Sequence, residues 1–181
     1  FMGIDPHTSV VSVKRGASDT LPQDWGVGTK LYFCGNDVAY DQTEYVAGEE
    51  VLVAALTATP SGLQELNGSI PIEMKARAFR PYPPANVKIN NEYYPTGEIS
   101  EDMRVSWVDR NRLQQTGGSI IGWYDSGVTI ESGVTYGYDL FDSDTNILVD
   151  SGSNITSPVT IQKVKMATNN RLELFSIRDG Y

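Results

Sequence analysis

Cysteine and histidine are almost missing from this chain of 181 residues: Cys34 and His7 are the only ones. A lone cysteine cannot close an intrachain disulfide, so bridges say nothing about redox compartment. A zinc site needs several Cys or His ligands, and the chain offers one of each. Any Ser-His-Asp or Cys-His arrangement would have to run through His7, beside Pro6 near the N-terminus. Cys34 follows the apolar run Leu31–Phe33 and is expected to be buried as a small hydrophobe. Positive charge is scarce as well, with 14 Lys and Arg against 23 Asp and Glu and a formal net charge of −9. An acidic surface repels phosphate backbones, and no basic cluster interleaves with aromatic residues, so nucleic acid is not an expected partner. Arg104, Arg110 and Arg112 form the one local basic group and read as solvated charges near a strand end. No signal peptide is visible and no apolar run is long enough to span a bilayer, so membrane insertion is not expected.

The known ligand loops are missing too. Gly26-x-Gly28 has Leu31 where a third glycine would stand and opens no helix, so it is not a dinucleotide loop. Asp142-x-Asp144-x-Asn146 copies the start of a calcium loop. Ile147 then replaces the sharp-turn glycine and Ser153 the bidentate glutamate, which leaves an acidic hairpin turn. Neither a cofactor nor a metal is expected. Glu98, Glu101 and Asp102 cluster, as do Glu44, Glu49 and Glu50, but nothing in the sequence buries them, and they read as solvated faces. A catalytic site is therefore not expected, although a hydrolase with two facing carboxylates stays open as an alternative.

What the chain does contain is strand and turn composition. Tyr, Val, Thr and Ile are punctuated by 17 glycines and nine prolines, which favours short strands over helices. The one stretch with helical character, Asp24–Gly28, is too short to count. Strands are predicted at Val10–Lys14, Thr29–Cys34, Glu50–Ala58 and Ile70–Ala78, with Asn67-Gly68 as a turn between the last two. Phe79–Val87 then places Pro81, Pro83 and Pro84 within four residues, which no sheet interior accommodates. The segment 80–86 is read as a semi-rigid joint between a small β domain over 1–79 and a second over 87–181. In the second half, strands are predicted at Asn86–Ile89, Asp102–Asp109, Ser119–Trp123, Gly127–Glu131, Val134–Phe141, Ile147–Val149, Ile155–Ile161 and Leu172–Ile177. Met103, Val105 and Trp107 alternate with polar residues, as do Val134, Tyr136, Tyr138 and Leu140, so both rows face a core. The fold class is all-β, with an immunoglobulin-like or fibronectin type III-like β-sandwich as the second domain. Trp123, Tyr124 and Asp125 sit at a turn and form the candidate surface contact.

Several segments carry a family resemblance. "RPYPPANVKINNEYYP" (Arg80–Pro95) resembles the joint before a fibronectin type III-like domain in large tail proteins of long-tailed phages and gene-transfer agents. "VSWVDRNRLQQT" (Val105–Thr116) looks like that domain's second strand, and "GVTYGYDLFDSDTNIL" (Gly133–Leu148) is similar to its next hairpin. "RLELFSIRDGY" (Arg171–Tyr181) resembles the segment that continues into a final strand. "VKRGASDTLPQDWGVGTKLYF" (Val13–Phe33) and "TEYVAGEEVLVAALT" (Thr43–Thr57) are similar to the β domain just upstream. The resemblance implies a structural and interaction module of a phage or prophage tail tip or baseplate hub. Other tail or baseplate subunits would be its partners, as part of a homo-oligomer of the full-length protein. It would be made in the bacterial cytoplasm, reside in the virion and touch a host-surface glycan or protein. It also implies that the chain is a piece of something larger, with the last strand of its sandwich missing. A carbohydrate-binding or adhesin-like module is the main alternative, with exposed aromatic rings stacking on sugars.

Overall fold

The computed structural model describes residues 3–32, 41, 43–56, 58–63, 68–114 and 119–181. It is all-β apart from one short 3₁₀ turn at Lys163–Lys165. In chain order the strands are β1 (Gly3–Ile4), β2 (Val11–Ser12), β3 (Glu50–Val53), β4 (Ala58–Thr59), β5 (Gly62–Leu63), β6 (Ile70–Glu73), β7 (Ala85–Ile89), β8 (Met103–Val108), β9 (Thr135–Asp142), β10 (Leu148–Ile155), β11 (Val159–Ile161) and β12 (Asn170–Ile177). Two compact units result, one made of Phe1–Phe33 with Pro81–Tyr181 and the other of Cys34–Arg80. This grouping revises the expectation of a single domain over 1–79, because the first 33 residues belong with the second half of the chain.

In the larger unit, six strands form two three-stranded antiparallel sheets ordered β11-β8-β7 and β10-β9-β12. The period-two rows expected from the sequence face inward. Met103, Val105 and Trp107 from β8 meet Tyr136, Tyr138 and Leu140 from β9, with Val134 and Ile161 completing the core. Leu140, Ile161 and Val105 are the largest fully buried side chains. Glycines make room where two rings would otherwise collide with backbone. A Cβ on Gly137 would stand 2.7 Å from the Phe175 ring, and one on Gly152 would stand 2.4 Å from the Tyr138 ring. The Tyr138 hydroxyl donates to Asp150 at 2.6 Å, and burial together with that carboxylate pushes its pKa up to about 12.

The joint is tied to this unit. Pro81, Pro84 and Ala85 are buried, and the Ser176 hydroxyl on β12 donates to the Tyr82 carbonyl at 2.8 Å. The acidic turn between β9 and β10 forms as expected. The Asp142 carboxylate accepts the Asp144 backbone N–H at 2.8 Å, and Asn146 takes the positive φ the reversal needs. After β12 the chain reverses through Asp179-Gly180. Both residues have positive φ, and Arg178 and Tyr181 exchange two backbone hydrogen bonds, as in a hairpin turn.

Four expectations are corrected. Ser119–Trp123 and Gly127–Glu131 are not strands, and no strand covers the described part of Thr29–Cys34. The arginines are not all solvated. Arg104 is exposed, but Arg110 is buried, and Arg112 makes a forked ion pair with the buried Glu131 at 2.7 Å, joined by Arg178. Buried acid explains the Arg112 pairing, since a carboxylate taken out of water must be matched by cations close by, whereas Arg110 is held by backbone carbonyls. Cys34 and Asn67 lie outside the described residues.

The smaller unit is thin. Strands β3 and β6 pair antiparallel, with the β4–β5 hairpin in the connection between them. Val51 lies opposite Ile72 and Val53 opposite Ile70, so four β-branched side chains share one face. Val53, Ile70 and Ile72 are exposed there, Ile70 at 67%.

Leu140 is fully buried, so Leu140→Ala leaves a cavity in the core, and we expect a loss of about 2–5 kcal/mol of stability. Urea denaturation followed by tyrosine and tryptophan fluorescence measures it. A loss below about 1 kcal/mol would place the core elsewhere.

Candidate functional site

The turn Gly122–Asp125 carries the three residues singled out from sequence, and four local interactions fix it. The Gly122 backbone N–H donates to the Asp125 carboxylate at 2.8 Å. The Asp125 backbone N–H returns to the Gly122 carbonyl at 3.2 Å. The buried Arg110 guanidinium, just beyond the end of β8, donates to the Gly122 and Asp125 carbonyls. Asn86, at the start of β7 with positive φ, donates from its side chain to the Tyr124 carbonyl at 3.2 Å.

Four rings gather on this turn. Trp123 contacts Tyr124 edge-on with centroids 5.0 Å apart, Tyr93 lies 5.9 Å away, and Tyr94 stacks at 6.3 Å with planes 12° apart. The Tyr93 hydroxyl donates to Asn86, and the Lys88 ammonium lies 4.8 Å over the Tyr93 ring, a cation–π contact.

The N-terminal segment docks against the same turn. The Trp123 backbone N–H donates to the Arg15 carbonyl at 2.8 Å, and the Lys14 ammonium donates to Asp125 at 2.6 Å. Gly16 permits the approach. It is buried with φ +58°, and a Cβ on it would come within 2.6 Å of the Trp123 Cβ and 3.0 Å of Pro22. The bond from Lys14, followed by that from the Gly122 N–H, holds the Asp125 carboxyl below the usual aspartate range.

The structure therefore separates the three predicted contact residues. Trp123 is only 4% exposed and is a docking post within the unit. Asp125 is spent on Lys14 and on its own turn. Tyr124, 51% exposed, keeps an open ring and is joined by Tyr94 at 67%. Sequence reasoning missed Arg110, Tyr93, Tyr94 and the Lys14–Gly16 strip. The one available signal was the "NNEYYP" pair of tyrosines in a turn-rich stretch. Among the described residues, no group of three or more His, Cys, Asp or Glu side chains could hold a metal ion, and no helix is long and apolar enough to cross a membrane. No protein-family model matches the chain, and no curated protein matches it.

Two outcomes follow from this docking. In a Trp25→Phe background, Gly16→Ala should push the segment off Trp123 at a cost of about 1–3 kcal/mol and shift the emission maximum to the red. An unchanged spectrum would show that Gly16 does not set the approach. The Asp125 pKa is depressed in the folded protein, so its contribution is complete above the unfolded aspartate value and fades as pH falls through the folded one. In the same background, acidification below about pH 4 should give the red shift. Asp125→Asn should show it already at neutral pH, and a variant indistinguishable from the parent at both pH values would remove Asp125 from the clasp.

Proposed function

We propose that the chain is a non-catalytic structural and interaction module of a bacteriophage or prophage tail, at the tip or baseplate hub. The observation that carries this reading is the β3–β6 face, where Val53, Ile70 and Ile72 lie exposed side by side. A two-stranded sheet is marginal alone, and an exposed row of β-branched residues is stabilised when a partner covers it. Neighbouring tail subunits supply that cover, with symmetric copies of the full-length protein multiplying each weak contact. The strand order supports the fibronectin type III-like reading of the larger unit. Of the six strands β7–β12, the first, second and fifth share one sheet, and the third, fourth and sixth the other. The six quoted segments, which resemble tail proteins in the same order, support the virion setting.

A second reading, contact with host-surface glycans, has its own support in the open rings of Tyr94 and Tyr124, which could stack on sugar faces.

Immunogold labelling of particles from the phage or induced prophage that carries this sequence should mark the distal end of the tail. Val53→Lys with Ile70→Lys should reduce incorporation by about tenfold or more while leaving the larger unit folded. Unlabelled particles beside abundant free protein would overturn the assembly reading. The glycan reading needs saturable signal on a glycan array that Tyr94→Ala with Tyr124→Ala abolishes.

A further inference from the structure

A concave feature lies at one end of the sandwich, apart from the aromatic turn. It is a cleft of about 530 Å³ bounded by the end of β8, the segment leading into β9, and the end of β10. Its apolar wall is aliphatic: Val128, Ile130, Val134 and Ile155. Trp107 and Tyr136 also line it, but they meet edge-on with centroids 5.4 Å apart and planes at 69°, so their rings are spent largely on each other.

Two independent features mark the cleft as unfinished. Trp107 is only 5% exposed, and its indole N–H has no acceptor among the described residues. A buried donor left without a partner is uncommon in a folded protein and is destabilising. Alongside it, the backbone groups of Gly127, Val128 and Ile130 hold no hydrogen bond among the described residues. This stretch has strand composition and runs without turn or bend, yet it belongs to no sheet. The Thr129 N–H donates to the Gln114 side-chain oxygen at 3.1 Å, so Val128 and Ile130 on either side of it present the unpaired backbone beside an apolar hollow, the arrangement in which an added strand gains both main-chain bonds and a side-chain pocket. Among the described residues, the only charged side chain lining the cleft is Asp109, which accepts the Tyr136 hydroxyl at 3.0 Å.

We propose that this cleft binds an extended peptide segment that places a bulky apolar side chain between Val128, Ile130 and Ile155 and a neighbouring Lys or Arg toward Asp109. The peptide backbone pairs with Val128 and Ile130, and one of its carbonyls answers the Trp107 indole N–H. A glycan fits less well, because no open ring face lines the cleft. An anionic polymer would meet Asp109 and a chain of net charge −9. The site goes beyond the tail-module reading and does not rest on it, since it needs only the sandwich.

The test selects binders from a display library of random dodecapeptides against the whole chain, and then titrates one enriched peptide into ¹⁵N-labelled protein. Enriched sequences should share a bulky aliphatic or aromatic residue next to a basic one. The Trp107 indole N–H resonance and the amides of 127–130 should move on titration. Ile130 is 43% exposed, so Ile130→Glu should fold normally by circular dichroism while weakening binding at least about tenfold. Asp109→Asn should weaken only the peptides that carry the basic residue. No enrichment, equal affinity for Ile130→Glu, or shifts confined to the Tyr94 and Tyr124 side would overturn the proposal. So would movement of the Trp107 resonance with glucose or galactose in place of peptide.

Discussion

Period-two alternation on β8 and β9 is the constraint on which the rest of the larger unit depends. Met103, Val105 and Trp107 project from one sheet onto Tyr136, Tyr138 and Leu140 from the other. A slip of one residue would turn Arg104, Ser106 and Asp139 inward, so the register is strongly specified. The loops inherit their places from it. Arg110 leaves β8 three residues after Trp107 and reaches the 122–125 turn. Glu131 stands four residues before β9 and draws in Arg112 and Arg178. Such a buried triad adds little net stability, because desolvation offsets most of the attraction. Removing one member is costly, and that asymmetry fixes the geometry of three loops at once.

The aromatic turn converts that fixed geometry into a seat for a distant part of the chain. Trp123 supplies area, Asp125 supplies a charge for Lys14, and Gly16 supplies the absence of a side chain. None suffices alone. An exposed ion pair contributes little, and a single ring contact is worth about 0.5–1.5 kcal/mol beyond its burial. Together they hold a segment whose own strands, β1 and β2, are two residues each and could not persist unaided. In the smaller unit, by contrast, Val53, Ile70 and Ile72 stay exposed on the β3–β6 face.

The all-β class was legible from composition and turn chemistry, and the β8 and β9 rows from alternation alone, because one buried face imposes a period of two. The acidic β9–β10 hairpin was legible too, since Asp142 and Asn146 do their work within five residues. The site was legible only in part. Trp123 and Tyr124 stood out as aromatics at a turn, but which one is covered depends on Lys14–Gly16, more than a hundred residues away. Nothing local in "KRG" announces that docking. Arg110 reads as surface charge because a guanidinium that satisfies two carbonyls looks, in sequence, like any other arginine. Gly127–Glu131 has strand composition but joins no sheet, and composition does not report pairing.

The clasp between Lys14 and Asp125 joins residues 111 positions apart. During synthesis the N-terminal strip therefore leaves the ribosome long before its seat exists. Val10, Val13 and Leu21, exposed even in the finished fold, must wait through the making of the whole smaller unit and half of the sandwich. Contacts of such span are slow to form, and the waiting segment is open to other partners meanwhile. The order in which the chain is made thus runs against the order in which its largest unit can close.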